Sequence, residues 1–268
     1  NYYASEIDKY AIQITKKNYP NTIHVGDVTQ LDSSTLPKID LLLGGSPCQG
    51  FSAAGKKLNF NDPRSKLFFE FVRVLKETSP KYFLLENVKM KKESLEIINK
   101  YLGVEPIEIN SSLVSAQNRK RLYWTNILNL KQPQDRMINL DSILDFSIPF
   151  RNSDSKINQQ NPAAIRGRRL NQENYQIKQG LEVKQNKKKS NCLTTVGKDN
   201  VLTPLQTGRH LLISSLPWRY YSILEYCKLQ TIPVDYFKNS NTSESMIKKM
   251  IGNGWTVDVI AHILKGIL

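Results

Sequence analysis

Through the first 130 residues, short apolar runs alternate with longer stretches whose apolar positions recur every three or four residues. YYASE, TIHVGD, IDLLLGG, KYFLLEN, PIEINSSLV and RLYWTNI have the length and the β-branched, aromatic and leucine content of strands. Between them, DKYAIQITKKNY, SKLFFEFVRVLKET and KESLEIINKYL carry the spacing of amphipathic helices. Strand, helix and strand repeated in this way predict an α/β fold: a doubly wound, mostly parallel sheet with helices on both faces. In such sheets ligands bind beyond the carboxyl ends of the strands.

The texture changes near Lys131, where Asn, Gln, Lys and Arg replace the helical pattern. Lys131 to Ser215 hold fourteen Lys or Arg against seven Asp or Glu. NCLTTVGKDNVLTPL and RHLLISSL still read as short strands, so residues 130–216 are expected to form a second, small, loop-rich domain rather than a disordered insertion. After Pro217 helical patterns return in YYSILEYCKLQ, SESMIKKMIG and TVDVIAHILKGIL, expected to rejoin the first domain as residues 1–129 with 217–268.

Charge adds a partner to this picture. With 38 Lys and Arg against 24 Asp and Glu, the formal charge of +14 favours a polyanion. No apolar run reaches 18 residues and no charged-then-apolar leader is readable, so the expectation is a soluble, cytoplasmic protein without a membrane partner. Cys48, Cys192 and Cys227 are odd in number and widely spaced, which fits neither a disulfide framework nor a zinc site. No metal is expected, and His24, His210 and His262 lack ligand spacing.

The candidate chemistry gathers at strand ends. In LLLGGSPCQGFS an apolar strand runs out into two glycines and then Cys48, where Gly44 and Gly45 allow a ligand to approach the backbone closely. A thiol there can act as a nucleophile if its pKa is lowered. KYFLLENV ends with Glu86 on the same rim, a carboxyl group that can protonate a heterocyclic nitrogen if burial raises its pKa. Arg119 and Arg121 of QNRKRLYW offer guanidinium donors to an anion or a carbonyl oxygen.

In this order, ASEID, GDVTQL, GGSPCQGFS, LFFEFVRVL, ENV, QNRKRLY, RYYSILEYCKLQTIP and IGNGWTVDVI resemble the DNA cytosine-C5 methyltransferases over nearly the whole chain outside the basic region. PCQGFS with ENV and QNRKR is the specific part. The resemblance implies that Cys48 adds to C6 of a cytosine and that C5 then takes the methyl group of S-adenosyl-L-methionine, leaving S-adenosyl-L-homocysteine. Glu86 near N3 and Arg121 near O2 would stabilise the developing charge, with Arg119 supporting the cysteine loop or a phosphate. The cytosine must leave the duplex to be reached.

The same resemblance places Glu6 at ribose hydroxyls, Ile7 on the adenine face and Asp27 at the adenine amino group, with Pro47, Leu67 and Asn253 completing the cofactor pocket. It assigns double-stranded DNA as partner, met by Gln49, Ser52, Lys56 and Arg64 of a closing loop and by Arg166, Arg168, Arg169 and Thr194 of the recognition domain. The Lys187 to Lys189 run is expected to contact phosphates, and Cys192 and Cys227 to be buried fillers. The implied enzyme is a sequence-specific monomer that needs no physical partnership with a cognate restriction endonuclease. An RNA cytosine-C5 methyltransferase and a non-catalytic DNA-binding paralogue are the alternatives; PCQGFS favours DNA over RNA. The family's Phe-x-Gly-x-Gly loop is absent, so roughly 15 to 30 further residues are expected upstream, enough for a strand, the loop and a helix.

Overall fold

All six apolar runs of the first half form strands. The computed structural model describes residues 1–46, 67–149, 163–169, 179–183, 189–190, 192–193, 201–203, 211–212 and 219–268. These fall into two units: Asn1–Asn110 with Lys120–Gln132 and His262–Leu268, and Ser111–Arg119 with Pro133–Ala261. In this division most of the C-terminal helical segment groups with the basic region.

In the first unit, β1 (Tyr3–Ser5) and β2 (Ile23–Gly26) pair in parallel across the helix α1 (Lys9–Asn18). The Asp8 carboxylate caps α1 by accepting from the amides of Tyr10 and Ala11. A second sheet holds β3 (Leu41–Gly45), β4 (Tyr82–Asn87), β5 (Ile107–Asn110) and β6 (Lys120–Thr125) in the order β3-β4-β6-β5. β3 and β4 are parallel, joined through α2 (Leu67–Thr78), whereas β6 runs antiparallel to both β4 and β5. The sheet is therefore mixed where a uniform alternation predicted parallel strands. Ser111–Arg119 is shorter than the dozen or so residues a parallel crossover needs, so the chain after β5 turns back.

Phe68, Phe71 and Val72 lie at helical spacing on α2, and Ile98 and Leu102 on α3 (Lys92–Leu102); they bury against Phe83, Leu85, Leu122 and Trp124 of the sheet. Removing a ring such as Phe71 from this core would cost about 3–5 kcal/mol. A Cβ at Gly44 would collide with the Phe71 ring. Gly44 thus serves the close approach of α2.

The second unit contains a five-stranded antiparallel sheet of β7 (Ala163–Arg169), β8 (Gln179–Val183), β9 (Val201–Thr203), β10 (Leu211–Leu212) and β11 (Arg219–Tyr220), ordered β10-β8-β7-β9-β11. The strand pattern foretold β9 and β10 but not β7 and β8, whose AAIRGRR and QGLEV carry glycine and charge in place of an apolar alternation. α4 (Ile223–Leu229) opens with a capping box between Ser222 and Glu225, and α5 (Glu244–Asn253) and α6 (Val257–Leu264) follow.

Candidate active site

The parallel register of β3 and β4 sets Gly45 beside Glu86, so the two strands end together. Glu86 and Asn87 close β4, both buried among the apolar residues of the sheet. The Asn87 amide donates to Ser46 Oγ at 2.9 Å and to the Ser46 carbonyl at 3.4 Å. Ser46 is the last described residue before Pro47 and Cys48. Thus the exit of β3 toward the cysteine is fastened to the residue next to Glu86.

On the other side of β4, Tyr123 of β6 faces Glu86, which makes Arg121 its diagonal neighbour, within reach of a long side chain. Arg121 Nε lies 2.9 Å from Glu86 Oε1, the two side chains being 14% and 11% exposed. Arg121 Nη1 also donates to the Lys120 carbonyl. The result is a largely desolvated carboxylate–guanidinium pair at the strand ends, where such charges act strongly.

A parallel arrangement repeats at β1 and β2. Ser5 pairs with Gly26, and Glu6 and Asp27 follow directly. Glu6 Oε1 accepts from the amides of Ile7 and Asp8, both at 2.8 Å, and Asp27 Oδ1 from the Thr29 amide at 2.9 Å. Gly26 adopts a φ of 79°, a turn that favours glycine, just before Asp27. Arg73 of α2 donates to the carbonyls of Val28 and Leu31 and so pins the Asp27 turn; its hydrogen bond with Glu70 raises the guanidinium pKa further. Two carboxylates fixed at adjacent strand ends suit a ligand rich in hydroxyl and amino donors, and Ile7, 74% exposed, offers an apolar surface beside them. This donor set fits the adenosine part of S-adenosylmethionine. Leu67 begins α2 in the same unit.

In the second unit Arg119 is 3% exposed. Its guanidinium donates to the carbonyls of Leu193, Gly252 and Gly254 and to Cys192 Sγ. Cys192 is accordingly a partner of Arg119 and not only a filler, whereas Cys227 is fully buried and burial pushes its thiol up to about 11. Asn253 is exposed at the end of α5.

Lys189 corrects one expectation. Its ammonium donates to the carbonyls of Ser112, Ser115 and Ile138, and burial lowers its pKa. Three donors meet three carbonyls, so Lys189 braces the chain rather than meeting a phosphate.

Cys48, Pro47, Gln49, Ser52, Lys56, Arg64, Thr194, Lys187 and Lys188 lie outside the described residues. Arg166, Arg168 and Arg169 are placed on β7. Among the described residues no group of acidic, His and Cys side chains could hold a metal, and no helix is long and apolar enough to cross a membrane.

Sequence reasoning gave Asn87 no role, although it sits inside the ENV motif. It also missed Gln117, Gln230 and Thr256, all buried. They sit within QNRKR, KLQ and GNGWT, where the sequence gives no sign of their burial.

A family model described as C-5 cytosine-specific DNA methylase matches residues 1–268. The type II methyltransferase M1.ScrFI of Lactococcus lactis subsp. cremoris is 45% identical over 132 residues, 45% of this chain and 34% of the relative. The type II methyltransferase M.BsuFI of Bacillus subtilis is 30% identical over 280 residues, covering 97% of this chain and 65% of the relative. The orphan methyltransferase M.SPRI of Bacillus phage SPR is 39% identical over 155 residues, 53% of this chain and 34% of the relative. The matched segments span about a third of the length of the first of these relatives. Among solved structures, Entamoeba histolytica methyltransferase EhMeth superposes with a TM-score of 0.69 at 15% identity, covering 99% and 88% of the two chains. A mutant of Spodoptera frugiperda DNMT2 does so with a TM-score of 0.61 at 21% identity, covering 98% and 91%. These likenesses establish the α/β methyltransferase fold.

Proposed function

Because this chain belongs to the family of C-5 cytosine-specific DNA methylases, we propose that its protein methylates C5 of a cytosine in double-stranded DNA, with Cys48 as the nucleophile. The observation that carries the reading is the Glu86–Arg121 pair at the end of β4, directly beside the Asn87–Ser46 bridge, with Ser46 two residues before Cys48.

Cytosine resists thiolate attack unless the negative charge it builds on N3 and O2 is met. A carboxyl at Glu86 can share or give a proton at N3, and the Arg121 guanidinium can donate to O2; their mutual contact holds both near working positions before a base arrives. The Cys48 sulfur forms a bond to C6, and the electron pair of the C5–C6 double bond makes C5 nucleophilic. S-adenosylmethionine, when bound, supplies the electrophilic methyl group. Transfer of the C5 proton to a solvent base then restores the double bond and expels the Cys48 thiolate. Glu6, Ile7, Asp27, Pro47, Leu67 and Asn253 would hold the cofactor.

Residues 1–129 with 217–268 would supply the chemistry and residues 130–216 the recognition of DNA. Arg166, Arg168 and Arg169 on β7, with Thr194, would meet phosphates, while Gln49, Ser52, Lys56 and Arg64 would close around the flipped nucleotide. The known relatives' type II and orphan methyltransferases agree with a cytoplasmic, DNA-modifying role.

The test is transfer of labelled methyl from S-adenosylmethionine to duplex genomic DNA, followed by nucleoside analysis. Label in 5-methylcytosine is expected. Label on an exocyclic amine would overturn the reading, and label in transfer RNA alone would replace DNA by RNA.

A further inference from the structure

The turn after β2 is held from outside itself. Asp27 opens a single 3-10 turn, Val28–Gln30, in which no residue is buried, so apolar packing does not fix it. Within the turn, Asp27 Oδ1 accepts from the Thr29 amide at 2.9 Å and the Asp27 carbonyl from the Gln30 amide at 3.0 Å. An isolated turn of this kind is marginal, because ordering its backbone costs more than one such bond returns. The further hold comes from Arg73 of α2, 45 residues along the chain from Val28.

The Arg73 guanidinium reaches this turn at both ends. Nη2 donates to the Val28 carbonyl at 2.7 Å and Nη1 to the Leu31 carbonyl at 3.1 Å, so the planar fork spans the first residue of the turn and the residue that follows it. The fork is itself fixed on α2: Nε donates to Glu70 Oε2 at 2.9 Å and Nη1 to Glu77 Oε2 at 2.7 Å, one helical turn to either side. The same helix buries Phe68, Phe71 and Val72 in the core, which anchors the clamp. Asp27 thus stands on a turn tied to the body of the first unit. A carboxylate offers about four acceptor positions, so Asp27 can meet the Thr29 amide and still accept from a ligand.

We propose that Arg73, held between Glu70 and Glu77, is a positioning residue that fixes the Asp27 carboxylate and so gives the site its choice of adenine over a base carrying oxygen in place of the amino group. The inference rests on the methyltransferase reading, since it takes Asp27 as the acceptor for the adenine amino group. Asp27, Val28, Leu31, Glu70, Arg73 and Glu77 all belong to the first unit. An amino group is told from an oxygen at the same ring position only by an acceptor that stays in place, because a mobile carboxylate turns away from the oxygen it would repel. Loosening the clamp removes the advantage of adenine without touching the reacting atoms.

The test is calorimetry of the whole natural protein with S-adenosyl-L-homocysteine and with S-inosyl-L-homocysteine, in which oxygen replaces the adenine amino group. Wild type should favour the adenosyl compound by about tenfold or more. Arg73→Met should weaken the adenosyl compound about tenfold and leave the inosyl compound unchanged, with kcat at saturating S-adenosylmethionine near wild type. Arg73→Lys keeps the charge without the fork and should lose part of the same selectivity; it carries the test if Arg73→Met does not fold. In an Asp27→Asn background, which retains an oxygen for the Thr29 amide, Arg73→Met should add little, because both changes act on one contact. Ile98→Val, a core truncation in the same unit, should lower the melting temperature and leave the selectivity intact. If the Arg73 variants weaken both compounds alike or neither, or if their effect persists in full beside Asp27→Asn, the proposal is overturned. A wild-type protein that binds neither compound, or binds the two equally, would instead overturn the placement of Asp27 at the adenine.

Discussion

Among the described residues each unit contains a desolvated glutamate–arginine pair, and the two are built differently. In the second unit Arg219 and Glu225 meet through two parallel bonds of 2.6 and 2.7 Å, with side chains 4% and 0% exposed. Around that pair, Glu225 also accepts from the amides of Ser222 and Asp145, and Arg219 donates to the carbonyls of Asp145 and Tyr220. In the first unit Glu86 and Arg121 meet at the ends of strands, retain some exposure, and stand next to the bridge that leads to the cysteine. One pair closes a capped helix start; the other stands at strand ends with some exposure. Ion pairing alone therefore does not mark a site; the proposed role of Glu86 and Arg121 rests on their place at strand ends.

Breaking the comparison is most effective at the closed pair. Glu225→Ala strands a buried guanidinium and removes the capping box, so it should cost about 3–5 kcal/mol in urea unfolding. The protein that remains folded should keep its kcat. Arg121→Ala should do the opposite, lowering kcat about 10²–10³-fold through loss of charge stabilisation at the reacting base, with an unfolding midpoint close to wild type. Equal losses of stability from both substitutions would erase the distinction between the two pairs.

Smaller changes sharpen it. Gly44→Ala should destabilise by about 1–3 kcal/mol, because the added methyl meets the Phe71 ring rather than a ligand. Cofactor affinity measured by calorimetry should change little once the folded fraction is allowed for; a loss of binding without a loss of stability would return Gly44 to the ligand site. The smallest expected effect is at Cys227. With its thiol near 11, only about one molecule in a thousand is thiolate at pH 8, so iodoacetamide should leave it unmodified in the native state. Rapid native-state alkylation at Cys227, located by mass spectrometry, would show the core of the second unit to be open.

What the sequence disclosed divides along the same line. The strand ends of the first unit were legible because apolar runs terminating in Glu6, Asp27 and Glu86 announce both the element and the place where it stops. Arg121 was legible through its motif, and the diagonal reach to Glu86 follows from strand register. The return of β6 between β4 and β5 was not read, although the short connection that forces it was visible. Gln117 and Gln230 could not be paired in advance, since 113 residues separate them and a buried amide carries no periodic signature. Lys189 was misjudged for a related reason: a lysine in a basic run looks solvated until the three carbonyls around it are known. β7 and β8 escaped because their strand pairing does not follow an apolar alternation.

The central claim is that the strand-end pair activates a cytosine for attack by Cys48, and duplex DNA carrying 5-fluorocytosine at the methylated position tests it most directly. Fluorine at C5 cannot leave as a proton does, so the enzyme should stop with the DNA joined to Cys48 in the presence of S-adenosylmethionine. The account predicts a denaturation-resistant complex with wild type, slower trapping with Arg121→Ala, and none with Cys48→Ala, which should still bind DNA through its phosphate contacts. A covalent complex formed equally well by Cys48→Ala would contradict it.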